Sequence, residues 1–544
     1  VRVIDVIVDI LKREGVEFLS CYPTTPLIDA AAEADLRPIV CRQERVGVGI
    51  ADGFSRVTNG KRPGVFAMQF GPGAENAFSG IATAFSDSVP ILLLPTGAPR
   101  ERVGMAPYFS SLQGYAPVTK SVQQLNLAKR APEFMRRAFS RLRMGKPSPV
   151  MLEIPADIAV EEVEGYEYEP VKTTVSYGNA REIDEAVRCL LEARCPVIHA
   201  GQGVHYAGAW AELLEFAELT QIPVMTTMLG KSAFPEDHPL SLGVVYRMKT
   251  GPAAHFLNQS DVILGIGCSF SRHHQSAQIP AGKVMIHVTN SEADINNGYY
   301  TDYPIIGDAR LILGQLLAAA RDRLANKKQR DGSRVIAEIK GVRDEWLAKW
   351  MPKLTSDEKP INPYRVLWEL TRTIDPRQAI VTHDSGSPRD QIVPFYPALS
   401  PHCYLGWGKS HALGTGLGLI IGAKLAAPDR VAINFMGDAA FGMVGLDFET
   451  AVRNNIPIIT IVLNNSTMAV ELTHMVASHE RYRARDIGGN YAEMGRAMGG
   501  HAERVENPAD IAPAIQRARQ VTEEEGRPVL LEFITSEETA VSML

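Results

Sequence analysis

The feature that most limits the fold is the alternation of short, near-continuous apolar runs with longer helical patterns. The segments "GVFAMQF", "PILLLP", "PVMLEIP", "CPVIHAG", "DVILGIG", "KVMIHVT", "QAIVTHD", "RVAINFM" and "IPIITIVL" lack the polar alternation of a half-exposed strand. Strands covered on both faces read this way, as in a parallel sheet with helices above and below. The pattern predicts an α/β chain of doubly wound parallel sheets. At 544 residues the chain exceeds a single core, and length alone gives roughly three or four domains of about 150 residues. Two polar stretches refine this. One is "EEVEGYEYEPVKTTVSYG", residues 161–178; the other is "LANKKQRDGSR", followed by a helical segment and "MPKLTSDEKPINP". Three domains are expected, at about 1–160, 183–325 and 360–544.

Composition excludes some classes of partner. The chain is 45% apolar and 22% charged, with a net charge of −6, so neither nucleic acid nor an anionic membrane is expected. No apolar run approaches the ~20 residues of a membrane span. The start, "VRVIDVIVDILKREGVEF", scatters its charges through an amphipathic pattern and does not read as a signal peptide. Cys21, Cys41, Cys189, Cys195, Cys268 and Cys403 include no C-x-x-C pair and read as small buried residues of a reducing compartment. A cytoplasmic protein is expected.

The first and third domains repeat one pattern. "GPGAENAFSGIATAFSDSVPILLLPTG" runs from Gly71 to Pro90 in 90 − 71 = 19 residues before its second strand opens; "GDAAFGMVGLDFETAVRNNIPIITIVLNN" runs from Gly437 to Pro457 in 457 − 437 = 20. Both read as strand, glycine turn, helix and a strand opened by proline. The first copy lacks the Asp and the closing Asn pair, so the two domains read as structural siblings of which one holds a polar site; chance likeness of two βαβ units is the alternative. On a βαβ unit the strands run parallel, and Asp438 and Asn465, 465 − 438 = 27 residues apart, leave room for the crossover helix. A carboxylate and an amide oxygen then meet at the carboxyl edge, where open α/β sheets bind ligands. They make a poor calcium cage but suit Mg²⁺, which completes its shell with water and phosphate oxygens. The following helix points its N-terminus at the same spot, and Gly437, Ala439 and Ala440 let the backbone approach. A diphosphate bridged by Mg²⁺ is the simplest ligand; a capping Asp and an Asn-rich turn would give the same letters.

This spacing resembles the thiamine diphosphate motif, Gly-Asp-Gly followed after about 25–30 residues by Asn-Asn, with Ala439 as a departure at the third position. The resemblance implies Asp438, Asn465 and the carbonyl of Thr467 as metal ligands. It also implies a first-domain glutamate that acts on the aminopyrimidine ring. "RQERVGVGIADGFSR" carries it as Glu44, with Gln43 where His is common, and "GPGAEN" and "DSVPILLL" follow as in the family. "FPEDHPLSLG" and "PIIGDAR" resemble the central domain of acetolactate synthase and its relatives. "ALGTGLGLIIGAKLA" places Leu413 where a bulky apolar residue bends the cofactor into a V, and "HDSGSPRD" puts Ser387, Pro388 and Arg389 at the diphosphate. Pro23, Gly71, Asn76, Gly437, Ala439, Ala440 and Met468 fall at further cofactor-contact positions. The domain order is that of acetolactate synthase, pyruvate oxidase, benzoylformate decarboxylase and benzaldehyde lyase.

What the resemblance implies is an enzyme, dependent on thiamine diphosphate and Mg²⁺, that decarboxylates a 2-oxo acid or joins carbonyl compounds, storing electrons as an enamine. A lyase of 2-hydroxy ketones or 2-hydroxyacyl thioesters is the alternative, and a non-catalytic regulatory homologue a third. Active sites at the subunit interface of a homodimer or homotetramer are expected. Several positions depart from the relatives. Thr24 and Thr25 of "CYPTTP" replace a Gly-Gly pair and could bond a substrate carboxylate or form a plain turn. Gln113 matches a cofactor-facing glutamine and Lys120 a lysine of the same segment. Lys409 and His411 of "WGKSHAL" are unusual, and either contact an anionic substrate, move protons, or pack. Glu471 lies 471 − 465 = 6 residues past Asn465, where pyruvate-type decarboxylases carry an acid, and His474 follows one turn later. FAD is not expected: "HAGQGVHYAG" is a weak dinucleotide-like turn, and Ser269 replaces the arginine of flavin-binding relatives. His273 and His274 are adjacent and read as surface. The tail after Ser536 is short, so a long lid is not expected.

Overall fold

The computed structural model of the protein describes residues 1–23, 26–107, 109–325 and 330–544. It contains three six-stranded sheets, and the strand pairings within them are parallel. The first runs in space Arg37–Val40, Phe18–Cys21, Gly64–Met68, Ile91–Gly97, Val150–Pro155, Ser121–Gln124; the third runs Tyr404–Leu405, Ala379–His383, Val431–Gly437, Ile458–Asn464, Val529–Ile534, His501–Val505. Numbered within each domain, both orders are 2-1-3-4-6-5, so the repeat legible in the sequence is a repeat of topology. The second sheet runs Tyr303–Ile306, Val284–Thr289, Val262–Ile266, Pro196–Ala200, Val224–Thr226, Ser241–Val244. Its order, 6-5-4-1-2-3, is that of dinucleotide-binding doubly wound sheets read from the other edge. Among the described residues no helix is long and apolar enough to cross a membrane.

Local sequence explains the elements. The helix Ala180–Glu192 buries Ile183, Ala186, Val187 and Leu190, spaced i, i+3, i+4 and i+7, and Asn179 caps it by accepting the Arg181 N–H at 3.0 Å. Asp308 caps Ala309–Leu324 the same way, accepting from Arg310 and Leu311. In the third sheet, Val431–Met436 and Ile458–Asn464 are buried throughout, as both-face coverage requires.

First and third domains are locked together by two helices, Glu44–Val57 and Thr415–Ala426, that cross on glycines. A Cβ on Gly418 would lie 2.6 Å from the Val46 carbonyl oxygen, and one on Gly49 would lie 3.1 Å from the Gly418 Cα. Beside the crossing, buried Arg56 is shared between Asp52 and Asp87 and donates to the Gly406 carbonyl at 3.1 Å. The polar stretch 161–178 has no helix and is tied down by contacts such as Val171 N–H to Glu14 at 2.9 Å. Residues after Ser536 run back over the body of the protein: Ser542 is buried and accepts the Trp346 indole N–H at 3.0 Å.

Candidate active site

In the third sheet the topological switch falls between Ala379–His383 and Val431–Gly437, and the candidate site sits at the carboxyl ends of these strands and of Ile458–Asn464. Gly437 pairs in register with Leu463, which brings Asp438 beside Asn464 and Asn465. The Asp438 side chain accepts the Ala439 N–H and the Ser466 N–H, both at 2.8 Å. Asn465 accepts from Thr467 N–H at 3.1 Å. Asn464 points the other way: its amide donates to buried Glu532 at 2.7 Å, while its oxygen accepts the Ser466 N–H at 3.0 Å. The turn is forced through a left-handed Ser466, φ 57°, a conformation that costs energy for a residue with a Cβ. Thr467 is buried and its carbonyl accepts from Ala469 N–H at 3.0 Å; Met468 donates to the Arg485 carbonyl at 2.9 Å.

Asp438 is 3% exposed. Burial pushes its carboxyl up to about 6, against the pull of the surrounding N–H groups. Among the described residues no Lys or Arg pairs with it. A buried carboxylate, an amide oxygen and a backbone carbonyl are hard donors, a set that fits a small hard cation completing its shell with ligand oxygens. They do not form a cage by themselves: among the described residues no group of three or more His, Cys, Asp or Glu could hold a metal.

The segment "HDSGSPRD" arrives at the same edge. Gly386, φ 85°, precedes the helix Ser387–Phe395, and a Cβ on Gly437 would lie 3.5 Å from the Pro388 ring. The first-turn N–H groups of this helix, to which Pro388 contributes none, are the kind that favour an anion at a helix N-terminus. The Arg389 guanidinium is buried and bonds Asp390 at 2.8 Å. Asp384, which the sequence reading passed over, is fully buried and accepts from Ser385 at 2.7 Å and from Gly414 and Gly416 at 2.9 Å. Burial pushes its carboxyl up to about 6. These bonds fix the turn that presents Leu413, and the Arg45 guanidinium holds the Leu413 carbonyl.

In the first domain Glu44 opens its helix and is 5% exposed. Its carboxylate lies against the start of the helix Pro72–Ser86, 3.7 Å from where a Cβ on Gly73 would stand. Among the described residues no hydrogen bond or ion pair is made by this carboxylate. Gly71, φ 65°, turns the chain into that helix, and Asn76 is exposed on it. Pro23 is exposed; Thr24 and Thr25 lie outside the described residues. Gln113 is exposed on the short helix Ser111–Tyr115, whose Ser110 cap accepts its N–H at 3.4 Å. Lys120 is taken up by the carbonyls of Met144 and Lys146, and burial draws its ammonium down to about 8. No hydrogen bond or ion pair among the described residues joins Glu44 to the Asp438 edge within this chain.

The loop 406–413 is held from the first domain: Asp87 accepts the N–H groups of Gly408 and Lys409, each at 3.0 Å. Lys409 reaches Ser269 Oγ at 3.4 Å, and burial lowers its ammonium. His411 is exposed, has φ 44°, and stands 5.6 Å ring to ring from His274. His273, expected at the surface, is partly buried, and its imidazole is pushed down to about 4 by burial and by Lys409. Glu471 and His474 lie 3.7 Å apart on an open surface. A cavity of about 620 Å³ opens at the carboxyl edge of the second sheet and is lined by Gln202, Gly203, Ser269, Asn290 and Lys409, among others. The turn in "HAGQGVHYAG" forms part of its wall.

Known proteins match this layout. Residues 1–126 match the N-terminal TPP binding domain of thiamine pyrophosphate enzymes, 183–316 the central domain, and 384–533 the C-terminal TPP binding domain. A probable acetolactate synthase large subunit of Methanococcus aeolicus is 30% identical over 98% of this chain and 92% of its own. Its counterpart in Methanocaldococcus jannaschii is 31% identical over 99% and 93%. A glyoxylate carboligase of Escherichia coli is 27% identical over 100% and 94%. Matches to all three domains, and identity carried along nearly the whole of both chains, make this chain a thiamine-pyrophosphate-dependent enzyme of the acetolactate synthase group.

Proposed function

We propose that the enzyme uses thiamine diphosphate with Mg²⁺ to decarboxylate a 2-oxo acid and pass the acyl unit to a carbonyl acceptor. The observation that carries this reading is the meeting of Asp438 and Asn465 at adjacent strand ends, with a buried carboxylate free of cationic partners. Asp438, Asn465 and the Thr467 carbonyl hold the metal, and the N–H groups opening the Ser387 helix take the diphosphate. Leu413 props the cofactor from below. Thiamine diphosphate bound there would supply the electron sink for loss of carbon dioxide from a 2-oxo acid. The chain positions and tunes. Glu44, buried and without a hydrogen-bond or ion-pair partner among the described residues, would exchange a proton with the cofactor's ring. Lys409 and His411 face the substrate carboxylate, and Glu471 with His474 returns a proton at the mouth.

A second copy of the chain completes the site. Phe78 and Phe85 are 37% and 38% exposed on the helix that touches Glu44, and Met443 and Leu446 are 52% and 58% exposed just past Asp438. Apolar side chains exposed on both cofactor-facing segments fit burial against a partner.

The test is carbon dioxide release from a panel including pyruvate and glyoxylate, with and without thiamine diphosphate and Mg²⁺, with the ligation products identified. Release that needs both, and that falls at least about a hundredfold in Glu44→Gln, is expected. Cleavage of 2-hydroxy ketones without carbon dioxide release would assign a lyase instead; full activity in Glu44→Gln would remove that residue from the chemistry.

A further inference from the structure

The helix that presents Glu44 has no cap of its own. Gln43 precedes it in extended conformation, and its side chain makes no capping bond; its amide oxygen is buried with no donor among the described residues. What holds the entry turn comes from the third domain. Asp447 accepts the Arg42 N–H at 2.7 Å across 405 residues of sequence. The Thr450 hydroxyl also donates to it, at 2.9 Å. Asp447 is 1% exposed. The Arg42 guanidinium does not neutralise it by contact, being bonded to Glu449 at 2.8 Å. A carboxylate buried this deeply is costly unless its lone pairs are filled, and here the Arg42 peptide N–H, two residues before Glu44, fills one beside the Thr450 hydroxyl. Charge-assisted bonds of this kind are the strong ones and fix direction as well as distance.

We propose that Asp447 is a positioning residue for Glu44: its carboxylate clamps the Arg42 peptide group, two residues before the glutamate, and so sets the angle at which Glu44 enters the site. The proposal rests on the reading of Glu44 as the group that works on the cofactor ring. It also gives a reason for an acid just beyond the Asp438 helix, because the segment that starts at the metal edge ends on the clamp.

The experiment uses the full chain with Asp447→Asn and Asp447→Ala. Without cofactor, backbone hydrogen exchange in a peptide spanning 41–48 rises by about tenfold in the alanine variant and by less in the asparagine variant, as loss of a charged cap implies. Exchange in the Thr415–Ala426 helix stays as in the parent. In the loaded enzyme, exchange of the thiazolium C2 proton slows by about tenfold while substrate KM moves less than about threefold, the signature of a misdirected group. In a Glu44→Gln background the Asp447 change adds nothing further. Unchanged amide exchange at 41–48, or C2 exchange rates that simply multiply in the double variant, overturns the proposal. If Glu44→Gln alone leaves C2 exchange at the parent rate, the role of Glu44 falls and the proposal with it, whatever the amide arm reports.

Discussion

At Gly53 a methyl group has nowhere to go. A Cβ built there would press on the Leu419 carbonyl oxygen, with the carbonyl carbon at 2.7 Å and the Cα at 2.8 Å. All three are backbone atoms of the crossing helix, so no rotamer change relieves them. Restoring an ordinary 3.4 Å contact to the carbonyl carbon alone requires 3.4 − 2.7 = 0.7 Å of separation. The helices cannot part locally, because Gly422 makes an equally close approach to the Ile50 carbonyl and a Cβ on Gly418 would lie 2.6 Å from that of Val46 along the same line. Over-packing costs about 1–3 kcal/mol and more where backbone is involved, against which alanine recovers about 1 kcal/mol of helix propensity. Gly53→Ala is therefore expected to destabilise by about 2 kcal/mol or more. Gly341, within the helix Ser333–Leu354, has nothing within 4 Å of its Cβ position, so Gly341→Ala is expected to stabilise by about 0.5–1 kcal/mol. Urea unfolding of the two variants beside the parent measures both, and the test is the opposite sign of the shifts. The Gly53 helix starts at Glu44 and its partner starts just after Leu413, so Gly53→Ala should also lower kcat more than it raises KM. A Gly53→Ala protein that gains stability as Gly341→Ala does would refute the close crossing.

Three other outcomes follow from buried polar groups. Asp87→Ala leaves the Gly408 and Lys409 N–H groups and one side of Arg56 unpaired in the interior; a loss of about 3–5 kcal/mol in unfolding experiments is expected, with weaker substrate binding through Lys409. Asp384→Ala frees the turn bearing Leu413, and calorimetric titration should find thiamine diphosphate bound about tenfold more weakly. His205 is buried against His402, ring to ring at 4.8 Å, and burial lowers its imidazole from 6.5 to about 4. The unfolded chain then binds a proton that the native chain refuses, so this group's contribution is whole above pH 6.5 and is lost as pH falls toward 4, by roughly 3 kcal/mol in all. Stability curves of the parent and His205→Asn should converge over that window; parallel curves would sink the assignment.

What the sequence disclosed was what is local. Asp438 and Asn465 belong to one βαβ unit, and a strand, a turn and a crossover of known length place them side by side whatever surrounds them. Gly71 was legible as a turn for the same reason, while Leu413 was read only through the family resemblance. The ends of long side chains were not. Arg389 is captured by Asp390, and Lys120 by carbonyls of the Met144–Lys146 turn; only the packed chain decides such pairings. Hardest to see were acids that serve a segment of another domain. Asp87 holds the backbone at Gly408 across 321 residues and Asp447 holds Arg42 across 405. Each is an ordinary helix-end acid until the domains dock. Thr24 and Thr25, read as possible substrate contacts, lie outside the described residues.

The two sibling sheets also differ in charge at the same turn. In each, a glycine turn leads from the third strand into a helix whose N-terminus favours negative charge. In the first domain that place is taken by the chain's own Glu44, whose carboxylate sits against Gly73. A fixed anion there leaves no room for a phosphate and no use for an acid in the turn, and the turn reads Gly-Pro-Gly. In the third domain the residues matching Glu44's helix are Thr415–Ala426, which begin with a glycine turn and carry no acid. On the proposed function the slot there takes an outside anion, and Asp438 at its rim takes the cation such an anion needs. The proposed division of labour follows from one difference of charge: the first domain presents its own carboxylate, and the third, on the proposed function, takes the diphosphate.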